Sequence, residues 1–248
     1  MKTSNKILLG ALALVLLLIT ITLIMFSREL NWEGSGKAEL SGKTIEEQRD
    51  VASFNKLKVE GNIQVHYTQG AAGKMLVKAD SSLIADFRSE VNDNELHLYS
   101  KRWIRNRSKI EVFITADSIN KVTANAGGIF KTVQAIKVNQ FNSIGNAGGI
   151  LNVNGEFFNL NMEMNAGAIA DFSGSCENIK VDSNAGAIVN AEKMVAKNGT
   201  VSSNAGAITN LYVTGELSVF ASTGSIIKCH GNPTMKQVEV STGAMFNR

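Results

Sequence analysis

Hydrophobic and polar residues follow three different patterns along the chain. Residues 7–26 are apolar throughout, residues 27–50 are polar without periodicity, and from Phe54 onward apolar and polar positions alternate in short segments. Alternation with period two is typical of strands that bury one face. We therefore predict an all-β domain that follows an apolar N-terminal segment.

The apolar segment is long enough to cross a bilayer. As a helix that rises about 1.5 Å per residue, Ile7 to Phe26 spans about 30 Å. A cleaved signal peptide would need a shorter apolar run and a small-x-small cleavage site, which residues 27–30 do not offer. No Cys stands directly after the run to accept a lipoprotein acyl group. We predict a cytoplasmic stub (1–6), a transmembrane signal anchor (7–26) and a polar tether (27–50), with a cleaved signal peptide as the alternative.

Charges around this segment predict its orientation. Lys2 and Lys6 precede it, whereas the charges of Arg28, Glu29 and Glu33 after it nearly cancel. By the positive-inside rule, the bulk of the chain is then extracytoplasmic, in the periplasm or at the cell surface.

A five-residue block recurs through the second half of the chain. Its copies read NAGGI, NAGGI, NAGAI, NAGAI, NAGAI, STGSI and STGAM, and they begin at Asn125, Asn146, Asn165, Asn184, Asn204, Ser222 and Ser241. Their starts are 21, 19, 19, 20, 18 and 19 residues apart. A near-constant period on strand-like sequence predicts a solenoid, whose coils stack and bury a shared core.

Each position of the block, counted from its Asn or Ser as position 0, predicts one column along the stack. Position +2 is always Gly, which predicts a corner that needs a positive φ or a close backbone approach. These glycines are Gly127, Gly148, Gly167, Gly186, Gly206, Gly224 and Gly243. Position 0 is predicted to form a structural polar ladder, in which the side chains bond neighbouring turns or their own backbone.

Two kinds of column predict which side chains are buried. Position +6 is polar and is predicted outside, whereas position −3 is mostly Val and is predicted inside. Ser143 is the exception at −3, and we predict a bulge beside Ile144 in the 21-residue coil. Position +4 predicts a continuous interior column, which consists of Ile129, Ile150, Ile169, Ile188, Ile208, Ile226 and Met245.

Together the columns predict a right-handed, single-stranded β-helix with coils of about 19 residues, stacked about 4.8 Å apart. Residues 119–248 hold the repeats. Residues 51–118 lack the block and hold atypical strands, which we expect to cap one end of the stack. The strands predicted there contain Leu57–Val59, Ile63–Tyr67, Met75–Ala79, Leu96–Leu98 and Ile110–Ile114.

The order of motifs in residues 51–248 resembles the head GIN domain of autotransporter adhesins. The motifs that carry this resemblance are Phe54-x-x-Leu57-x-Val59-x-Gly61-x-Ile63-x-Val65, Thr68-Gln69-Gly70, Val91-x-Asp93-x-x-Leu96 and the Asn-Ala-Gly blocks. The resemblance implies an exported β-helical domain of the bacterial envelope, with adhesion suggested by analogy. It supplies no catalytic residue.

Composition agrees with a turn-rich β protein and excludes one class of partner. The chain has 22 Gly, one Pro and 6% aromatic residues, which suits many tight turns better than a helical bundle. The net charge is +3, and Lys2 and Lys6 supply two of these positive charges. The exported part is therefore nearly neutral, and no nucleic-acid partner is predicted.

An enzyme is the alternative that the repeats leave open, because β-solenoids often act on polysaccharides. Position −2 places Glu163 and Asp182 on consecutive coils, about 4.8 Å apart, which is within the range for a retaining carboxylate pair. The same column holds no Arg, Lys or His that could orient a substrate, so a solvated outer face is the favoured interpretation.

Metal and thiol chemistry find little support in the sequence. His66 and His97 lie on the polar phase of predicted strands, His230 stands alone, and no metal-binding or cofactor motif is present. No metal and no cofactor are predicted. Cys176 and Cys229 fall in different columns about 14 Å apart along the stack, so they are predicted to be free, sheltered thiols.

One basic segment stands out between two predicted strands. It comprises Lys101, Arg102, Trp103, Arg105, Arg107 and Lys109. It is a candidate for binding acidic glycans or anionic lipid headgroups, with the Trp packing on a sugar or entering the membrane interface. The alternative is an exposed loop whose charges keep it soluble.

These observations predict a non-enzymatic, membrane-anchored binding or scaffold module of the envelope or cell surface, of adhesin type. A polysaccharide-processing β-helix enzyme is the alternative. The predicted partners are the membrane, through residues 7–26, and a glycan or an envelope protein. Self-association is a further expectation, since no capping helix is visible before Arg248 at the C-terminal edge of the stack.

Overall fold

The computed structural model describes residues 40–71, 73–101, 109–241 and 243–248. The predicted stub, the predicted anchor and the first part of the predicted tether lie outside the described residues. Within the described ranges, no helix has the length and apolar character needed to cross a bilayer.

Residues 40–116 form seven strands and one short helix. Their bounds are β1 Thr44–Arg49, β2 Lys56–Glu60, β3 Ile63–Gln69, β4 Met75–Asp80, α1 Ser81–Ile84, β5 Phe87–Asn92, β6 Glu95–Ser100 and β7 Ile110–Ala116. The five strands predicted in this region are present as β2, β3, β4, β6 and β7. Strand β5 was not predicted, and the residues of β1 had been predicted to belong to the polar tether.

The repeat region forms the remaining strands. Their bounds are β8 Lys121–Asn125, β9 Ile129–Thr132, β10 Ile136–Asn146, β11 Ile150–Met164, β12 Ile169–Ser183, β13 Ile188–Ser203, β14 Ile208–Val213, β15 Glu216–Ala221, β16 Ile226–His230, β17 Thr234–Val240 and β18 Met245–Asn247. Strands of successive coils pair in parallel, so that Asn152 lies beside Asp171 and Asp171 beside Asn190. The predicted all-β solenoid of about seven turns, with coils of about 19 residues, is confirmed.

The Asn-Ala-Gly block forms a two-residue turn at one corner of each coil. In the described turns the residue at +1, usually Ala, has a φ of 48° to 50°, and the Gly at +2 has a φ of 70° to 82°. The N–H at +3 donates to the carbonyl at position 0 over 2.9–3.2 Å. Positive φ at both central residues with this bond is the signature of a type I′ turn. A Cβ at +2 would meet open space, as at Gly148 and Gly186, so a steric clash does not explain the Gly. Its positive φ does, because residues with a side chain rarely adopt that conformation.

These turns are themselves bonded from coil to coil. The N–H of Gly148 donates to the carbonyl of Ala166, and the N–H of Gly167 donates to that of Ala185, each over 3.1 Å. Side chains at position 0 add a partial ladder, in which Asn146 Nδ2 donates to Asn125 Oδ1 over 3.0 Å. The corner is therefore continued along the stack by backbone bonds and, in places, by amide bonds.

The prediction that position +4 is interior is wrong. Only the first residue, Ile129, is buried; Ile150, Ile169 and the later isoleucines of this column are half-buried, and Met245 is 50% exposed. Positions +3, +5 and +7 face the core instead, as Ala187, Val189 and Ala191 show in one coil. The first side chain after the turn, at +3, faces the core. Because side chains alternate along a strand, those at +4 and +6 then lie together on the outer face.

The column at −3 is buried through six coils, from Val122 to Val219, and Ser143 keeps its place in it. The bulge predicted beside Ile144 is therefore wrong. The 21-residue coil places its additional residues in the connection between β9 and β10. A bulge occurs instead in the 20-residue coil, where Asp171 and Ser173 lie opposite Asn190 and Lys193.

The two ends of the described stack differ. At the N-terminal end, β6 and β7 form the outermost coil, while β2 and β3 lie between that coil and β8 and β9. Antiparallel β5 covers the edge of β6, β4 covers β7, and β1 pairs with β4. At the other end, β17 and β18 carry exposed apolar residues, among them Val238 and Val240. Self-association at this edge stays a prediction.

We expect two neighbouring glycines of one turn to respond differently to the same substitution. Gly148→Ala places a Cβ in open space at positive φ, which Ala147 already tolerates, and should lower the free energy of unfolding by about 1 kcal/mol. Gly149→Ala brings a Cβ onto the carbonyl oxygen of Ala124 and should cost about 3 kcal/mol. Urea unfolding of both variants measures the difference, and equal costs would contradict the close approach of Gly149 to the Ala124 carbonyl.

A second prediction concerns Asp80 at the end of β4. Hydrogen bonds from the hydroxyl and N–H of Ser82, and from Ser41, hold the pKa of Asp80 well below its usual value. This stabilisation is fully present above the unfolded pKa of about 3.9 and is lost as the pH falls through the lower folded value. Urea midpoints between pH 7 and pH 2.5 should therefore fall less steeply below pH 4 in Asp80→Asn than in the unchanged chain.

The matched control is Asp93→Asn in the β5–β6 turn, where Asn accepts the positive φ of 50° equally well. Its midpoints should follow those of the unchanged chain. Parallel curves for Asp80→Asn and the unchanged chain would show that Asp80 does not hold β1 to β4 through its charge.

Candidate binding cleft on the outer face

One outer column runs without interruption from the N-terminal coils into the repeats. Strand register places these residues side by side on successive coils, in the order Phe113, His66, Lys131, Asn152, Asp171, Asn190, Asn210 and Lys228. We call this set the outer column. In the repeats it is position +6, which the sequence predicted to be outside.

A cleft of about 420 Å³ opens on this column. Its lining consists of Thr132, Asn152, Val153, Asn154, Asp171, Phe172, Ser173, Asn190, Glu192 and Lys193. We call it the bulge cleft. Val153 and Phe172 are buried and point into the core, so the groups that face the cleft are mainly amides, hydroxyls and charged side chains.

The cleft lies where the strand register breaks. Ser173 lies opposite Lys193, so β13 contributes one residue more than β12, and a second break separates Ala191 from Val195 against β14. A bulge bends its strand and redirects the side chains next to it. The additional residue of the 20-residue coil therefore exposes Glu192 and Lys193 at the border of the cleft.

Hydrogen bonds hold the polar groups of the cleft in place. Asn190 Nδ2 donates to Asp171 Oδ1 over 2.8 Å, and Asn210 Nδ2 donates to Asn190 Oδ1 over 3.1 Å. Asn154 N donates to the hydroxyl of Thr132 over 2.9 Å. Each primary amide has two N–H groups and an acceptor oxygen, so Asn190 keeps an N–H for a ligand. Such an array suits a ligand rich in hydroxyl groups.

Two exposed apolar side chains lie toward the N-terminal end of the same face. The rings of Phe113 and His66 are stacked with centroids 4.7 Å apart, and Phe113 is 37% exposed. Burial lowers the pKa of His66, which therefore stays neutral at neutral pH. Val133, two positions after Lys131 of the outer column, is 62% exposed.

The carboxylate pair considered for catalysis lies outside the cleft. Glu163 and Asp182 are neighbours in register on β11 and β12, as the repeat predicted. Glu163 accepts a hydrogen bond from Asn165, and Asp182 forms an ion pair of 3.0 Å with Lys180. No base, nucleophile and orienting group converge there among the described residues, so the pair is a solvated, bonded part of the surface.

The other candidate groups are placed as follows. Within the ranges that the structure covers, no group of three His, Cys, Asp or Glu residues could hold a metal ion. Cys176 and Cys229 are free and buried, and burial raises the pKa of Cys176 to about 12. Most of the basic segment, Arg102 to Arg107 with Trp103, lies outside the described residues, and the flanking Lys101 and Lys109 are exposed.

The sequence analysis missed the bulge cleft. The available signal was the 20-residue spacing from Asn184 to Asn204, because one residue beyond the usual 19 must leave the strand register somewhere in that coil. Which side of the coil would take the bulge cannot be read from the spacing. Cleft residues such as Glu192 and Lys193 therefore looked like ordinary surface charges.

A family model described as "Putative auto-transporter adhesin, head GIN domain" matches residues 53–233. No curated protein matches the sequence.

Three solved bacterial structures share the fold. A putative lipid binding protein from Parabacteroides distasonis has a TM-score of 0.69 at 13% identity, covering 84% of this chain and 97% of that chain. A putative adhesin from Bacteroides fragilis has a TM-score of 0.67 at 18% identity, covering 84% and 96%. A putative adhesin from Parabacteroides merdae has a TM-score of 0.65 at 15% identity, covering 86% and 98%. At these identities the likeness concerns the fold.

Proposed function

The chain belongs to the head GIN domain family of putative auto-transporter adhesins, and from this premise we propose that it is an extracytoplasmic binding module that holds a cell-surface glycan in the bulge cleft. The bulge cleft is the main support for this function. It joins amide, hydroxyl and charged groups on one rigid face, and such groups fix the orientation of a polar ligand.

The stacked coils support recognition by a preformed site. Asp171 and Asn190 are held by strand pairing and by the bond between their side chains, so little conformational entropy is lost when a ligand binds. Functional groups on strands are also positioned more accurately than groups on loops. The site therefore suits recognition of a defined surface polymer.

Exposure of the carboxylates favours binding over hydrolysis. Asp171 and Glu192 are both exposed, whereas a general acid in a glycosidase keeps its proton because its surroundings disfavour the charge. Asp171 accepts a hydrogen bond from Asn190, and Glu192 lies 3.6 Å from His230 Nε2. Both carboxylates have oxygens that can accept hydrogen bonds from sugar hydroxyls.

A polar lining also favours a saccharide over an acyl chain. The putative lipid binding protein of Parabacteroides distasonis shares the fold, yet a lipid tail would need a mainly apolar pocket.

The apolar run of residues 7–26 supports attachment to the membrane, with the solenoid on its outer side.

The test is a glycan array followed by calorimetry on the strongest ligand. Asp171→Ala removes a charged acceptor from the cleft and should weaken binding about tenfold or more, since such bonds contribute roughly 1.5–3 kcal/mol. Asp182→Ala, a carboxylate of the same strand on another part of the surface, is the matched control and should bind like the unchanged chain. An array without binding, or equal losses in both variants, would contradict the proposal.

A further inference from the structure

We infer that the ligand is a straight, neutral polysaccharide that lies along the outer column with about one sugar per coil, from the bulge cleft to Phe113. This inference rests on the proposed function and adds the ligand's shape, charge and direction. It follows from the register, which connects the cleft to the exposed apolar side chains at the N-terminal end of the same face.

The outer column offers a binding path that repeats at the coil spacing. Neighbouring strands are about 4.8 Å apart, which is comparable to the length of one pyranose ring. The path covers six coils, from Phe113 and His66 through Lys131, Asn152 and Asp171 to Asn190. A straight polymer can therefore meet one side chain of the column on each coil, whereas a coiled or branched polymer would leave the column.

The two ends of the path offer complementary contacts to a sugar chain. Asn152, Asp171 and Asn190 present hydrogen-bonding groups at the cleft. Toward the other end, the exposed parts of Phe113 and Val133 present apolar surface. A pyranose ring has hydroxyl groups at its edge and C–H groups on its faces, so one chain can use both kinds of contact. An acyl chain would match only the apolar end.

Charge along the path favours a neutral polymer. At the cleft and Lys131, the acidic groups are Asp171 and Glu192, and the basic groups are Lys131 and Lys193. These four charges cancel, and Glu111 near His66 adds a single negative charge, so the path offers little attraction to a polyanion or a polycation. His66 adds no charge at neutral pH, because burial lowers its pKa.

The experiment measures affinity against chain length with two defined probe series. Cello-oligosaccharides and chito-oligosaccharides of one to eight sugars are titrated against the full chain in detergent. We expect the affinity for one series to rise with each added sugar up to about six, the number of coils along the path, and then to level off. Binding that is independent of length would overturn the inference while leaving the cleft itself as a binding site.

Variants at the apolar end separate the inference from the proposed function. Phe113→Ala should weaken binding of the six-sugar probe about tenfold and leave binding of a two-sugar probe unchanged. Phe158→Ala removes a ring that is 53% exposed outside the outer column and is the matched control. Equal effects of the two Phe variants would overturn the inference.

The unfolding midpoint of each variant shows whether the fold is intact. If Phe113→Ala lowers the midpoint, Val133→Ser provides the same test at a side chain that is 62% exposed. Failure of both probe series to bind at any length would overturn the inference. If the array had also shown no glycan ligand, the proposed function would fail with it.

Discussion

The structure depends on a backbone turn with positive φ at two successive residues, repeated once per coil. Only Gly adopts the second of these conformations without strain, and the turn's own N–H and carbonyl groups bond to the turns of the adjacent coils. Each turn therefore fixes where the next coil begins. Strand register, the buried columns and the outer column all follow from that alignment.

The sequence predicted the features that this turn controls. The period of Asn125, Asn146 and the later blocks gave the coil length, and their glycines marked the corner. Position +4 was wrongly assigned to the interior, because its Ile residues were taken as evidence of burial. The alternation of side chains had not been counted from the turn. The chain re-enters the core at +3, so Ile188 faces outward and Val189 inward. A hydrophobic residue alone does not identify the buried face of a strand. Whether the residue lies an odd or an even number of positions after the turn does identify it.

The candidate site arises where the repeat is least regular. One additional residue in the coil that begins at Asn184 breaks the register against β12, and the resulting bulge opens a cleft beside Asp171 and Asn190. This could not be predicted from residue types, because bulge and cleft depend on which pairs of residues lie opposite one another. The regular coils on both sides hold this irregular site rigidly, and a long repetitive face with one specialised position is well suited to a surface-binding module.

Each coil is a unit that its turn aligns with the neighbouring coils. Deletion of one complete coil, residues 165–183, followed by urea unfolding monitored by far-UV circular dichroism, tests this directly. We expect a shortened solenoid that keeps its β spectrum and unfolds cooperatively, whereas deletion of half a coil, residues 165–174, should abolish that transition because the turns no longer align. Loss of structure in the complete-coil deletion, or equal behaviour of the two deletions, would contradict it.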